Sequence, residues 1–386
     1  MGNCICTSQN SDQALVSAIV LADRENTIDE VKEPPFTDFD AVGSGTIEGY
    51  KHEAREVTRC LVPVLGGTEI DSNDILLDAQ VRQLTAEMET AERTHGENSL
   101  EYRRALRNLS SVLSKMERHV EAEPLQRKRL EASLRVLGPT HQDTLTAMGK
   151  LAATLNALGR YDEAEQLQRQ WVERAQEALG MKSPVTIAAY GNLASTLYNR
   201  GEFQEAQKLQ RQQLSACEEA LGPQSNDTLK AMGNLASTLS SLGQDADAEA
   251  LQRDWLHRCV QALGPEHHDT LRAMGNLAVT LGALGRNEEA LKIQQERLQK
   301  SERVLGLGAA DTRMAMGNLA AMLLALQRHE EAVHVLRRQF ELSEEALGAY
   351  HSDTVMVKWN LSHVLKDMGR QREADQLLHD SSVVSC

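Results

Sequence analysis

Aromatic side chains make up only 3% of the 386 residues. Core volume must therefore come from leucine, alanine and methionine, residues that favour helix packed on helix. Basic residues are also short: 41 Lys and Arg stand against 56 Asp and Glu, a net charge of -15. The deficit is concentrated in residues 1–96, where 7 basic residues face 18 acidic ones, and the rest is nearly neutral. General nucleic-acid binding needs a basic surface to displace counterions, and none is expected. Near the start the apolar run Ala14 to Ala22 lacks a basic flank and falls far short of the ~20 residues that span a bilayer. Six cysteines, Cys4, Cys6, Cys60, Cys217, Cys259 and Cys386, follow neither a disulfide nor a zinc spacing. A reducing, cytoplasmic setting is expected.

What the chain has in abundance is itself. Ala-Met-Gly-Asn-Leu-Ala occurs at 231–236, 273–278 and 315–320, and weaker versions surround Gly149, Gly191 and Trp359, always 42 residues apart. Self-similarity at that period marks a stacked array, because one supersecondary unit cannot bury its apolar face alone.

One repeat, Pro139 to Gly180, carries its own folding instructions. Leu145, Met148, Leu151, Ala152, Leu155 and Leu158 recur at helical spacing and predict a first helix with one apolar stripe. Gly159 breaks it, and a second helix follows with Ala164, Leu167, Trp171, Ala178 and Leu179 expected inward. Gly138, Gly180, Gly222, Gly264, Gly306 and Gly348 end the second helices, and Pro139, Pro223 and Pro265 reinforce three of the stops. Asp143, Asp227, Asp269, Asp311 and Asp353 fall in the next first turn, where a carboxylate complements the helix dipole. Alanine pairs such as Ala152 with Ala164 and Ala236 with Ala248 let antiparallel helices approach closely. The expected fold is all-α: a solenoid of antiparallel helix pairs, with a capping half-repeat at 71–96, about seven repeats over 97–380 and a short tail at 381–386.

The phrases Leu-Gly-Pro-Glu-His-His-Asp-Thr-Leu (263–271), Gly-Asn-Leu-Ala (275–278) and Leu-Gly-Arg-Asn-Glu-Glu-Ala (284–290) resemble tetratricopeptide repeats. The match is to the 42-residue kind found in kinesin light chains and nephrocystin-like proteins, and it implies a right-handed superhelix. Two departures stand out. Where the family usually has a small residue, seven places after the second-helix alanine, this chain has Arg129, Trp171, Gln213, Trp255 and Arg297. No heptad run or nucleotide-binding domain precedes the array.

Residues 1–70 read as an acidic leader that cannot bury enough apolar surface to order itself. Met-Gly-Asn-Cys-Ile-Cys-Thr at its start resembles a lipidation signal: Gly2 for myristate, Cys4 and Cys6 for palmitate. Coincidence is the equal alternative reading. Tethering at the cytosolic face of a membrane would follow from acylation. Phe36-Thr37-Asp38-Phe39-Asp40 places two phenylalanines among carboxylates, either as a docking motif that competes for the groove or as a locally packed loop.

No His-Glu-x-x-His, Cys-x-x-Cys or nucleophile-elbow pattern occurs. The chain is not read as an enzyme, and no catalytic residue, metal or cofactor is expected. The candidate site is instead an asparagine ladder, Asn108, Asn192, Asn234, Asn276, Asn318 and Asn360, with Lys150 as the exception. It is expected on the concave side of the first helices, preceded by glycines that leave the groove shallow enough for a ligand backbone. An amide offers the donor and acceptor that hold an extended peptide, and the resemblance implies backbone contact by these asparagines. Bridging between neighbouring helices is the competing reading. Arg104, Lys230 and Arg272, one turn earlier, would favour an acidic or phosphorylated partner. Trp359, in the glycine place of the last repeat, is expected as an end cap or as a wall of the groove. The expected function is a protein-interaction adaptor. The alternatives are an assembly subunit that packs through Trp171 and Trp255 on its convex face, or a cargo-binding light-chain-like component. The oligomeric state is open.

Overall fold

The computed structural model describes residues 72–379. The leader, with Gly2, Cys4, Cys6 and the 36–40 segment, and the tail at 381–386 lie outside the described residues. Fifteen α-helices occur among the described residues, which contain no strand. They fall into two compact units, 72–220 and 221–379.

The first unit opens with α1 (Ser72–His95) and continues through the helix pairs α2/α3 (Leu100–Lys115, His119–Leu137), α4/α5 (Gln142–Ala157, Tyr161–Leu179) and α6/α7 (Pro184–Asn199, Phe203–Leu221). The second contains α8/α9 (Asn226–Ser241, Asp245–Leu263), α10/α11 (His268–Ala283, Asn287–Val304), α12/α13 (Ala310–Ala325, His329–Leu347) and α14/α15 (Ser352–Asp367, Gln371–His379). Each helix packs on the next within a pair. First helices of neighbouring repeats also touch, α4 on α6 in one unit and α8 on α10 on α12 in the other.

The alanines behave as their size requires. Ala152, Ala164, Ala194, Ala206, Ala236, Ala248, Ala320 and Ala332 are wholly buried at the helix crossings. Leucines and methionines fill the space around them: Leu145, Met148 and Leu155 in one unit, Leu281, Met316 and Leu336 in the other. On α5 the buried stripe is Ala164, Gln168, Trp171 and Ala175, while Ala178 and Leu179 are exposed. The expectation that these last two point inward is corrected: the buried stripe ends at Ala175, and residues 176–180, the last turn and its glycine stop, are all exposed.

Turn chemistry explains the stops. Gly138, Gly180, Gly264 and Gly348 have φ from 76 to 95° and ψ from 161 to 172°, a region essentially closed to residues with a Cβ. The carbonyls of Gly222, Gly264 and Gly306 accept hydrogen bonds of 2.7–2.8 Å from the buried hydroxyls of Thr228, Thr270 and Thr312, which fastens each turn to the helix after it. First-helix caps are split between two chemistries. Ser99 and Ser225 accept through oxygen, whereas the Nδ1 atoms of His141, His267 and His351 accept from the backbone N–H of Asp143, Asp269 and Asp353 at 3.1–3.2 Å.

Between the two helices of a pair, Gly159, Gly201, Gly243, Gly285 and Gly369 have positive φ, and Glu117 and Gln327 take the same place at 57 and 58°. A side chain in the left-handed region costs ~1–2 kcal/mol. Gln327→Gly is expected to stabilise the 221–379 unit by about 0.5–1 kcal/mol after glycine's greater unfolded-state entropy is subtracted. Urea unfolding reads the change, and a lower midpoint would contradict it.

Second helices of successive repeats are laced together by closed rings of charge. Arg127 and Arg160 each pair with both Glu123 and Glu163. Arg253 and Arg286 do the same with Glu249 and Glu289. Hydrogen bonds from the guanidiniums hold Glu163, Glu249 and Glu289 below the usual carboxylate range. The carboxylates of Glu163 and Glu289, in the first turns of α5 and α11, thus join one repeat to the next.

Candidate functional site

The repeated glycine of the first helix is not open ground. In each repeat the second-helix side chain 22 residues later lies across it. A methyl group built on Gly149 would stand 2.5 Å from the Trp171 ring, on Gly233 2.8 Å from Trp255, on Gly275 2.5 Å from Arg297 and on Gly317 3.1 Å from Gln339. Gln213 occupies the same space over Gly191. The reading of these glycines as a shallow floor for a ligand backbone is corrected: the missing Cβ makes room for a long side chain arriving from behind. The departure from the family pattern at Arg129, Trp171, Gln213, Trp255 and Arg297 and the run of glycines are therefore one feature. The first repeat has no such glycine. Arg107 stands there beside Arg129, whose pKa is lowered to about 10, by burial first and then by the Arg107 charge.

Trp171 is 3% exposed and Trp255 1%, so neither can carry the convex-face assembly expected of them. Trp359 is different. No glycine lies beneath it, it is 55% exposed, and it packs against His363 with ring centroids 5.5 Å apart. Met356 and Val355 beside it on α14 are exposed as well.

The asparagines lie on the first helices as their spacing requires. Asn108 and Asn234 are exposed, while Asn192, Asn276 and Asn360 are partly so. Among the described residues the amides of these five make no side-chain hydrogen bond that would bridge two helices. Asn318 departs from the row: it is 4% exposed and engaged in the protein's own contacts. Arg104, in the first unit, is exposed. In the second unit the column holding Lys230 and Arg272 continues as Met314 and Met356, so a cationic stretch gives way to an apolar one.

A cavity of about 280 Å³ opens within the 221–379 unit, between α10, α12, α14 and the second helices behind them. Arg272 and Asn276, singled out separately in the sequence, both line it. Arg297 and Gln339, which cross Gly275 and Gly317, line it as well. Arg272 pairs with Asp269 at 2.7 Å and sits over the Trp255 ring at 5.6 Å. Its Nε is buried with no partner. Asp269 is held below the usual carboxylate range, by neighbouring His268 first and then by Arg272. Arg313 donates to the Gly308 carbonyl, and Gln339 donates to the Arg313 carbonyl at 2.9 Å. Asp311 and Asp353 supply the negative charge of the lining, and Leu271, Met314, Met356 and Val357 its apolar part.

Neither thiol among the described residues is set for chemistry. Cys217 and Cys259 are buried and unbridged, and burial pushes Cys259 up to about 12. No group of three or more His, Cys, Asp or Glu among the described residues is arranged to hold a metal.

The chain also has recognisable relatives. Solved structures with the same helix-pair construction include BtubC (BKLC) from P. vanneervenii, 18% identical with a TM-score of 0.53, over 60% of this chain and 92% of that one. A second is aspartyl phosphate phosphatase F from Bacillus subtilis, 11% identical with a TM-score of 0.53, over 98% and 94%. A putative kinesin light chain from Podospora anserina with nearly identical TPR-like repeats is 23% identical with a TM-score of 0.48, over 52% and 95%. At these identities the first two likenesses speak for the fold alone, and nothing is drawn from the third. No curated protein sequence matches the chain. Sequence models of the tetratricopeptide repeat match residues 101–177, 185–256 and 311–381, and a second such model matches 270–311. With more than half of its residues so matched, the chain belongs to the tetratricopeptide repeat family.

Proposed function

We propose that the protein is a non-enzymatic adaptor that binds an extended acidic peptide along the first helices of residues 221–379. The observation that carries this reading is the meeting of Arg272 and Asn276 in one cavity, with the unbridged amide of Asn234 at the same place of the preceding repeat, on α8. Each amide can give and take a hydrogen bond with a peptide backbone whatever its side chains. Lys230, Arg272 and Arg297 supply preference for negative charge. Asn108, Asn192, Asn318 and Asn360 occupy the same repeat position, but Asn318 is already committed to the protein and is the weakest member of the set. Arg104 serves the first unit in the same way, one turn before Arg107 on α2.

Burial of both tryptophans removes the main support for convex-face assembly. Acylation at Gly2 with Cys4 or Cys6 would add a membrane tether. No described helix is long and apolar enough to cross a bilayer.

Selection of a random peptide library on the full-length chain tests the proposal. Recovered peptides are expected to be extended and rich in Asp and Glu, and to lose binding in 1 M salt, where the Debye length is only ~3 Å. Recovery of basic or purely apolar peptides, or of none, would overturn it.

A further inference from the structure

Arg297 is the most unusual residue of the second unit. It is 5% exposed, yet among the described residues it makes no ion pair, and its Nε and Nη1 are buried without a hydrogen-bond partner. A buried guanidinium with no acceptor is costly, because it has given up water and received nothing in return. The position does not demand arginine for packing. Its equivalents in other repeats are Trp171, Gln213, Trp255 and Gln339, each of which fills the space over its glycine. Arginine alone brings a charge and a planar set of donors to that space, and Arg297 is among the residues that line the 280 Å³ cavity.

We infer that this cavity is a carboxylate pocket, in which Arg297, reaching over Gly275, receives the side-chain carboxylate of a single Asp or Glu. The source of that carboxylate rests on the peptide-binding reading above; the chemistry of the pocket does not. Of the three lining arginines, Arg272 pairs with Asp269 and keeps only its Nε unmet, Arg313 donates to the Gly308 carbonyl, and Arg297 alone has no acceptor among the described residues. A carboxylate matches the two parallel N–H donors of one guanidinium edge, Nη2 together with either Nε or Nη1. Asn276 and the unpaired Nε of Arg272 lie in or at the same lining and can complete the shell. Two features select a monoanion on an apolar stem over a phosphate. Asp311 and Asp353 also line the cavity and would repel a second negative charge, and Leu271, Met314 and Met356 offer contact to methylene groups. The volume, about 280 Å³, suffices for one acidic side chain.

The glycine ladder thereby acquires a role in recognition. It admits second-helix side chains over the first helix, so the group that fills that space differs from repeat to repeat: Trp, Gln or Arg. The side chain that reads a ligand need not come from the helix that lines the groove.

The test uses the full-length, ¹⁵N-labelled chain. The Arg297 Nε–H resonance is assigned by its loss in Arg297→Gln, a change whose packing is precedented by Gln339 over Gly317. Three probes are titrated: N-acetylglutamate N-methylamide, its glutamine analogue and inorganic phosphate. The glutamate probe is expected to move the Arg297 resonance saturably, at least tenfold more tightly than either of the others. Arg297→Lys, which keeps charge but not the fork, is expected to retain the order of preference at reduced affinity. Equal response to glutamate and glutamine, an equal or tighter response to phosphate, or a motionless Arg297 signal would each overturn the inference. The library separates this from the parent proposal. If the glutamate probe binds and no peptide is recovered, the pocket stands and the peptide reading falls. If acidic peptides are recovered but Arg297→Gln leaves their preference for Glu over Gln unchanged, the pocket falls and the peptide reading stands.

Discussion

Trp255→Ala is expected to destabilise the 221–379 unit by about 3–5 kcal/mol, the usual range for truncating a buried tryptophan. The ring is 1% exposed, spans the glycine of the facing helix and supports Arg272. Its Nε1 has no partner among the described residues, so loss of that buried donor returns part of the cost and places the effect toward the lower end. The coupling to Gly233 gives the sharper test. In the parent chain Gly233→Ala pushes a methyl to 2.8 Å from a rigid ring, and overpacking of this kind costs about 1–3 kcal/mol. That outweighs the ~0.5–1 kcal/mol by which alanine improves on glycine within a helix. In the Trp255→Ala background the ring is gone, and the same substitution is expected to stabilise. A double-mutant cycle by urea unfolding should show this reversal of sign. Additive effects would mean that the ring does not lie across the glycine. The concentration dependence of sedimentation should be the same for Trp255→Ala and the parent, since a buried ring holds no neighbouring molecule.

The second large effect concerns binding. Asn234→Ala/Asn276→Ala removes two amides that hold nothing within the protein, so stability should change little. Each amide lost from a bound peptide is worth about 1–1.5 kcal/mol net. Together they are expected to weaken a selected acidic peptide by about 2–3 kcal/mol, or ~30- to 150-fold. Asn318→Ala should behave in the opposite way, lowering stability with little direct effect on affinity, because its side chain is buried and already engaged. Calorimetric titration of the two variants distinguishes a ligand-contacting row from a structural one.

Much of this architecture was legible in the residues. The period of 42, the terminating glycines and the apolar stripes located the helices, because those signals act within a turn or two of the chain. The buried alanines followed from size alone. What escaped detection depends on the distance between columns. Gly149 and Trp171 are 22 residues apart, on different helices, and each looked like an independent oddity: a glycine inside a helix and a large residue where the family prefers a small one. Laid side by side, the columns show Gly opposite Trp, Gln or Arg five times, with Arg107 opposite Arg129 in the repeat without glycine. That size complementarity was the available signal. The histidine caps were missed because histidine accepts through a ring nitrogen and is not a customary capping residue. Ala178 and Leu179 continue the apolar spacing, but the last turn beyond Ala175 is exposed on every side, which periodicity alone does not show. The candidate site was half visible: Asn276 and Arg272 were found from the groove-lining helices, whereas Arg297 and Gln339 reach the same cavity from behind.

The central claim is that ligands are held by the first helices. Hydrogen–deuterium exchange of the full-length chain, with and without a saturating selected peptide, tests it most directly. The account predicts new protection in α8, α10 and α12 and in the Trp359 segment of α14, with α9, α11 and α13 unchanged at their ring-forming surface. Protection confined to α9, α11 and α13, with the asparagine-bearing helices unaffected, would contradict it.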